Sequence, residues 1–184
     1  MICSDAQHIN YSERYDIREM VVPSKVFFTK GIGIYEDELI SFEMALRDAH
    51  VSPFNLVTVS SIIPPQAKIV SREEGLAELH PGEVVFCVMA RLSTNTDGET
   101  IAASVGLAVP PLEKNHHGYL SEYHRKNITA EECGDYAEQQ AVTMLGTLMG
   151  EKNIPTFTTS SITVCATGKA NVWTTAIALA VFVP

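Results

Sequence analysis

From Asn55 an apolar, β-branched run reaches two adjacent serines, Ser60 and Ser61, and is then stopped by Pro64 and Pro65. Leu56 and Thr58 alternate with Val57 and Val59 in the manner of a strand. Two consecutive prolines lack the backbone donors that a sheet ladder needs and cannot extend it. The serine pair is therefore held at a strand end. Taken alone, it reads as a strand followed by a polyproline turn with two satisfied hydroxyls, and only its surroundings can turn it into a site.

Around this stretch the periodicity alternates between strand and helix. Residues 21–30 read as a first strand, with Gly31 and Gly33 as a flexible turn after it. Leu39, Phe42, Met44, Ala45, Leu46 and Ala49 recur at helical spacing behind Glu36, Asp37 and Glu38, and predict a helix over 37–49 with an acidic N-terminus. Residues 67–70 suit a short strand, and Ser71 with Glu74 a capping box for one or two turns ending near His80. Two apolar runs, 83–92 and 100–109, flank the turn signal Asp97-Gly98. They predict an antiparallel hairpin in a sheet covered on both faces.

Residues 118–124 alternate as a further strand carrying Glu122. Thr129 and Glu132 make a second capping box, opening a helix to about Met149 whose apolar face holds Ala137, Ala141, Met144, Leu145 and Leu148, with Gly150 as its stop. After Pro155, residues 158–166 and 172–182 read as two last strands. The order predicts a single α+β domain, 1–184, with helices packed on a mixed or antiparallel sheet and no linker.

Composition narrows the function classes. With 46% hydrophobic and 19% charged residues, 184 residues suffice for one sizeable core. A net charge of -9 argues against a nucleic-acid or anionic-membrane surface and favours a cationic ligand. Cys3, Cys87, Cys133 and Cys165 are scattered without C-x-x-C spacing, which predicts reduced thiols, mostly in the core. Residues 1–22 lack a signal-peptide block, and the apolar run 176–183 is too short for a bilayer, so a cytoplasmic protein is expected.

Several chemistries lack their residues. No glycine flanks the serine pair, as a nucleophile elbow requires. The Gly31-Ile32-Gly33 motif lacks the rest of a phosphate loop, and the adjacent His116 and His117 read as a solvated loop, so no metal is expected.

The stretch Asn55-Leu-Val-x-Val-Ser-Ser-Ile-x-Pro-Pro65, preceded by Phe42-Glu-x-Ala-Leu46 and followed by Glu122-Tyr123, resembles the pyruvoyl-dependent arginine decarboxylase family over residues 21–183. The resemblance implies a four-layer α/β/β/α sandwich that cuts itself between Ser60 and Ser61. The Ser61 hydroxyl would attack the Ser60 carbonyl, and β-elimination and hydrolysis would leave a pyruvoyl group. Residues 1–60 would become a β chain and 61–184 an α chain. L-arginine would bind the pyruvoyl as a Schiff base and yield agmatine and carbon dioxide, with neither pyridoxal phosphate nor metal.

The resemblance also assigns residues. Ser61 supplies the cofactor and Ser60 the cut end. Glu122 is the proton donor, a role that asks for a carboxyl shielded from water beside Tyr119 and Leu120; otherwise it is a strand-surface carboxylate. Asn55 supports an oxyanion during processing and contacts substrate, or is simply a turn residue. Glu43, where the family carries an aspartate, meets the substrate guanidinium, and Leu39 one turn earlier lines the same wall, or is first of all core. The extra methylene in Glu43 leaves another basic amino acid as the alternative substrate. Family members assemble as trimers with sites between neighbours, and an unprocessed trimeric scaffold is the rival from outside enzymes. Ser160-Ser161-Ile162 repeats the tripeptide without the asparagine or the prolines, and is expected to stay intact.

Overall fold

A computed structural model describes residues 22–150 and 156–184 of the chain. Expectations for Cys3, for the signal-free N-terminus, for Val21 and for Pro155 lie outside the described residues. Among the described residues the protein is a mixed α+β domain of two sheets and three α-helices.

Strand β1, Lys25–Tyr35, runs straight through Gly31 and Gly33, which are therefore not the predicted turn. Helix α1, Glu38–Asp48, lies directly across them, and a Cβ on Gly33 would collide with the Ser41 carbonyl oxygen and the Ala45 nitrogen. Missing side chains admit two readings, a bend or a close approach, and here the approach is the reason. Gly33→Ala is expected to cost about 3 kcal/mol through overpacking, lowering Tm by roughly 6–12 °C in a thermal melt. An unchanged Tm would show that α1 can lift off without loss.

The predicted ends of α1 hold: Asp37 caps it by accepting from the Ile40 N–H, and Ala49 closes it. Its predicted inner face holds for the buried Ala45 and Ala49 and in part for Phe42 and Leu46, but not for Leu39 and Met44. The helix sits so close to the sheet that small residues, Ser41 and Ala45, fill the contact. Phe42 and Leu46 pack at the flanks, while Met44 is exposed and Leu39 is 71% exposed.

The first sheet has the order β2-β5-β9-β1-β4. Strands β5 (Val84–Thr94), β9 (Trp173–Val183) and β1 are antiparallel, and the short β2 (Asn55–Thr58) and β4 (Lys68–Ile69) add in parallel at the two edges. Nearly every residue of β9 is buried, as its apolar run predicts. Ser71 caps the short helix α2, Arg72–Leu76, which stops a turn before the expected His80.

The second sheet, order β3-β7-β6-β8, is antiparallel throughout: β3 is Ile62–Ile63, β7 Gly118–Lys126, β6 Thr100–Val109 and β8 Thr158–Thr167. Helix α3, Ala130–Met149, packs on it, opened by the full Thr129–Glu132 capping box and closed by Gly150 at φ 63°. It buries Ala137, Ala141 and Leu145 as expected, but Leu148 is exposed at the last turn.

The predicted β5–β6 hairpin is overturned. After Thr94 the chain crosses to the other sheet, so β5 pairs with β2 and β9 whereas β6 pairs with β7 and β8. Both runs are apolar on both faces, because each looks inward to the opposite sheet and outward to a helix. That pattern is blind to whether two strands lie side by side or stacked. The main core fills the space between the sheets with Val88, Ile101, Val105, Leu107, Leu120 and Ala180. No helix among the described residues is long and apolar enough to cross a membrane.

Candidate active site

Strand β2 ends at Thr58, and the chain leaves the first sheet to join the second at Ile62, so the two serines lie in the crossing. The Val59 N–H donates to the Cys87 carbonyl of the first sheet at 3.0 Å, and the Leu120 N–H of the second donates to the Ser61 carbonyl at 2.8 Å. The Ser60–Ser61 peptide is thus strung between two rigid sheets. Within it the Ile62 N–H donates to the Ser60 carbonyl oxygen at 2.8 Å, a three-residue turn centred on Ser61. That donor polarises the acyl group and favours negative charge on its oxygen.

The Ser61 hydroxyl donates to Glu122 Oε2 at 2.6 Å, the short distance of a hydroxyl on a carboxylate. Glu122 reaches it from β7, two residues beyond the Leu120 N–H that holds the Ser61 carbonyl. Ser160-Ser161-Ile162, by contrast, lies inside β8 in regular register with Leu107, Gly106 and Val105, with no crossing and no turn.

A cavity of about 640 Å³ opens beside Ser61 and Glu122. Its far wall is helix α3, which contributes Tyr136, Gln139, Gln140, Thr143 and Met144. At its floor the buried Ser121 hydroxyl donates to Gln140 Oε1 at 3.1 Å. Tyr136 is held by stacking on Tyr123, ring centroids 4.5 Å apart. Among the described residues Glu122 is the only carboxylate on the lining, and no lysine, arginine or histidine is part of it. Sequence reasoning missed the α3 wall. The available signal was a polar stripe at helical spacing, Tyr136, Gln140 and Thr143, which is indistinguishable in sequence from an ordinary solvated face.

Comparison with known proteins decides the family. Residues 25–184 match the family model for pyruvoyl-dependent arginine decarboxylase. The chain belongs to the pyruvoyl-dependent arginine decarboxylase family. It is 48% identical to "Pyruvoyl-dependent arginine decarboxylase 1" of Methanosarcina acetivorans, over 89% of this chain and 97% of that one. It is 49% identical to "Pyruvoyl-dependent arginine decarboxylase" of Methanocella arvoryzae, over 91% and 99%. It is also 46% identical to "Probable pyruvoyl-dependent arginine decarboxylase" of Chlorobaculum tepidum, over 89% and 98%.

Of the residues that the pyruvoyl-dependent arginine decarboxylase resemblance singled out, the protomer brings together Ser60, Ser61 and Glu122. It does not bring the other three to them. Asn55 opens β2, its Nδ2 donating to the Gly82 carbonyl at 2.8 Å. Five extended residues span roughly 16 Å, so its amide stands at the opposite end of the strand from Ser60. Glu43 lies on α1, where Arg47 Nε donates to its Oε1 at 3.0 Å, and neither it nor Leu39 lines the cavity. The exposure of Leu39 removes the core reading of that residue. Glu122 is also exposed, and Tyr119 and Leu120 do not shield it.

The other candidate groups stay apart from this chemistry. Burial pushes the Cys87 thiol up to about 12 and the Cys133 thiol to about 11, so neither offers a thiolate nucleophile near neutrality. His116 and His117 are half-buried rather than solvated, their tilted rings 4.8 Å apart between centroids. Among the described residues no three His, Cys, Asp or Glu side chains gather at metal-binding distance.

Proposed function

We propose that this chain is a self-processing decarboxylase that converts L-arginine to agmatine and carbon dioxide on a pyruvoyl group made from Ser61. The observation that carries the reading is the Ser61 hydroxyl on Glu122 at 2.6 Å, next to a Ser60 carbonyl already held by the Ile62 N–H at 2.8 Å.

That geometry supports self-processing. Glu122 accepts the Ser61 hydroxyl proton as Oγ attacks the Ser60 carbonyl carbon. The Oγ–C bond forms and the C–N bond breaks, the proton passing to the departing Ser61 nitrogen. Loss of the Ser61 Cα proton then expels the Ser60 carboxylate from Cβ and leaves an aminoacryloyl end. Its tautomer takes up water and releases ammonia. Residues 1–60 remain as the β chain and 61–184 as the α chain of one α/β/β/α sandwich.

The residues present fit such a group: position 61 faces a cavity large enough for an amino acid, and a carboxylate is in bonding reach of its side chain. Once formed, the ketone supplies an electron sink for the pair left on the substrate Cα as carbon dioxide departs. Glu122 Oε2, no longer engaged by the serine hydroxyl, is placed to hold a proton and return it to that carbon.

Glu43, Leu39 and Asn55 enter the reading through assembly. We assign them to the site of an adjoining protomer in a trimer, where an α1 face also supplies the cover that Glu122 lacks in its own chain. The Glu43–Arg47 pair is exposed and worth only about 0.3–0.5 kcal/mol, so a substrate guanidinium can displace Arg47 from it. Mixing Ser61→Ala with Glu43→Ala protein tests this. Each alone is expected to be inactive or nearly so, and random assortment should restore roughly a quarter of wild-type sites. No recovery would place Glu43 in the same protomer's site or outside any site. The function itself is tested by intact mass and by carbon dioxide release. A single uncut species, or faster turnover of lysine or ornithine than of arginine, would reject it.

A further inference from the structure

We propose that Gln140 binds the α-carboxylate of the substrate, with Ser121 as the residue that orients it. This rests on the decarboxylase reading and adds a recognition element to the same site.

Gln140 lies on α3 and faces the cavity beside Ser61 and Glu122. Its amide oxygen is engaged: the Ser121 hydroxyl, 4% exposed under the helix, donates to it at 3.1 Å. An amide whose oxygen is held from below presents its NH₂, two donors, to the open side. The other polar side chains of the α3 wall are less well set. Thr143 has spent its proton on the Gln139 carbonyl at 2.8 Å, and Tyr136 is turned against Tyr123 at the rim. Two aimed donors call for an oxygen ligand, and the substrate class brings a carboxylate to this position.

A neutral glutamine rather than a cation at this place has a physical reason. A lysine or arginine would bind the ground-state carboxylate most strongly, and that interaction is lost as the group leaves as neutral carbon dioxide. Binding of that kind raises the barrier rather than lowering it. A neutral amide fixes the direction of the Cα–carboxylate bond at a smaller penalty. Meanwhile Glu122, itself a carboxylate, adds no attraction for the departing group.

The test is Gln140→Met, similar in length and lacking the donors, with Ser121→Ala as a second variant. Both are made in the full-length chain and checked by intact mass for processing. Gln140→Met is expected to process fully, to raise the arginine KM about tenfold, and to leave the inhibition constant of agmatine, which has no carboxylate, unchanged. Ser121→Ala should move the same ratio about threefold in the same direction, a discrimination that simple loosening of α3 would not produce. Equal weakening of arginine and agmatine, or no change in either, overturns the proposal, and so does failure of both variants to process. If wild-type protein neither cuts itself nor releases carbon dioxide, the function reading falls and takes this one with it. Wild-type activity with an unselective Gln140→Met defeats this one alone.

Discussion

Ser61→Ala is expected to remain one full-length chain with no measurable arginine decarboxylation. In the proposed reaction the hydroxyl is the nucleophile that cuts the chain and its Cβ becomes the methyl carbon of the ketone, so alanine would remove the cut and the cofactor together. The fold should survive. The lost contact is one hydrogen bond to an exposed carboxylate, worth about 1 kcal/mol, while the two sheet anchors of the crossing are backbone bonds from Val59 and Leu120. Wild-type protein, by contrast, should resolve into two chains parted after Ser60, the second without a free N-terminal amine.

The repeated tripeptide at Ser160-Ser161 serves as a control in the same spectrum. It is held in a regular ladder between β8 and β6, where the peptide plane is fixed by pairing and no neighbouring N–H folds back on the acyl oxygen. Cutting there, or persistence of the two chains in Ser61→Ala, would remove Ser61 from the mechanism. A silent wild-type protein that stays intact would reject the enzyme reading itself.

The serine pair at its strand end and the strand that carries Glu122 were legible because each has a local cause, whereas the role of Glu122 came only from the resemblance. Prolines stop a strand wherever they stand, a capping box opens a helix from four residues, and Glu122 sits in an alternating run. The ends of α1 and α3 followed from Asp37 and from Thr129 with Glu132 for the same reason. What failed was long-range. Strands β5 and β6 are apolar on both faces, and apolarity does not encode whether a neighbour lies in the plane or across the core. Gly31 and Gly33 record a missing side chain without naming what comes close. The Ile62 N–H that holds the Ser60 carbonyl has no sequence signal at all, since every residue but proline carries that donor. Gln140 is hidden differently: a glutamine on a helix looks solvated until a buried serine beneath it is seen to fix its oxygen.

Glu122→Gln should separate the two proton transfers that the proposed function gives to one side chain. Glutamine keeps the length and can still accept the Ser61 hydrogen bond through its amide oxygen, but it cannot take up or give back a proton at that atom. Self-cleavage is therefore expected to slow without stopping, because the Ile62 N–H still polarises the acyl group and water can carry the proton. Turnover should suffer more. Divided by the fraction of processed chain read from intact mass, kcat is expected to fall by about 10²–10⁴, the usual loss for a positioned acid or base, while the arginine KM changes little. If normalised kcat stays within about twofold of wild type, Glu122 serves processing alone and another group returns the proton. The two readings part further in deuterated water, where the carbon that lost its carboxylate takes the label from whatever acid faces it. With Glu122 in place that label should enter on one face of agmatine only. In Glu122→Gln, where solvent must supply it, the selectivity should drop along with kcat, and full retention of it would again point away from Glu122.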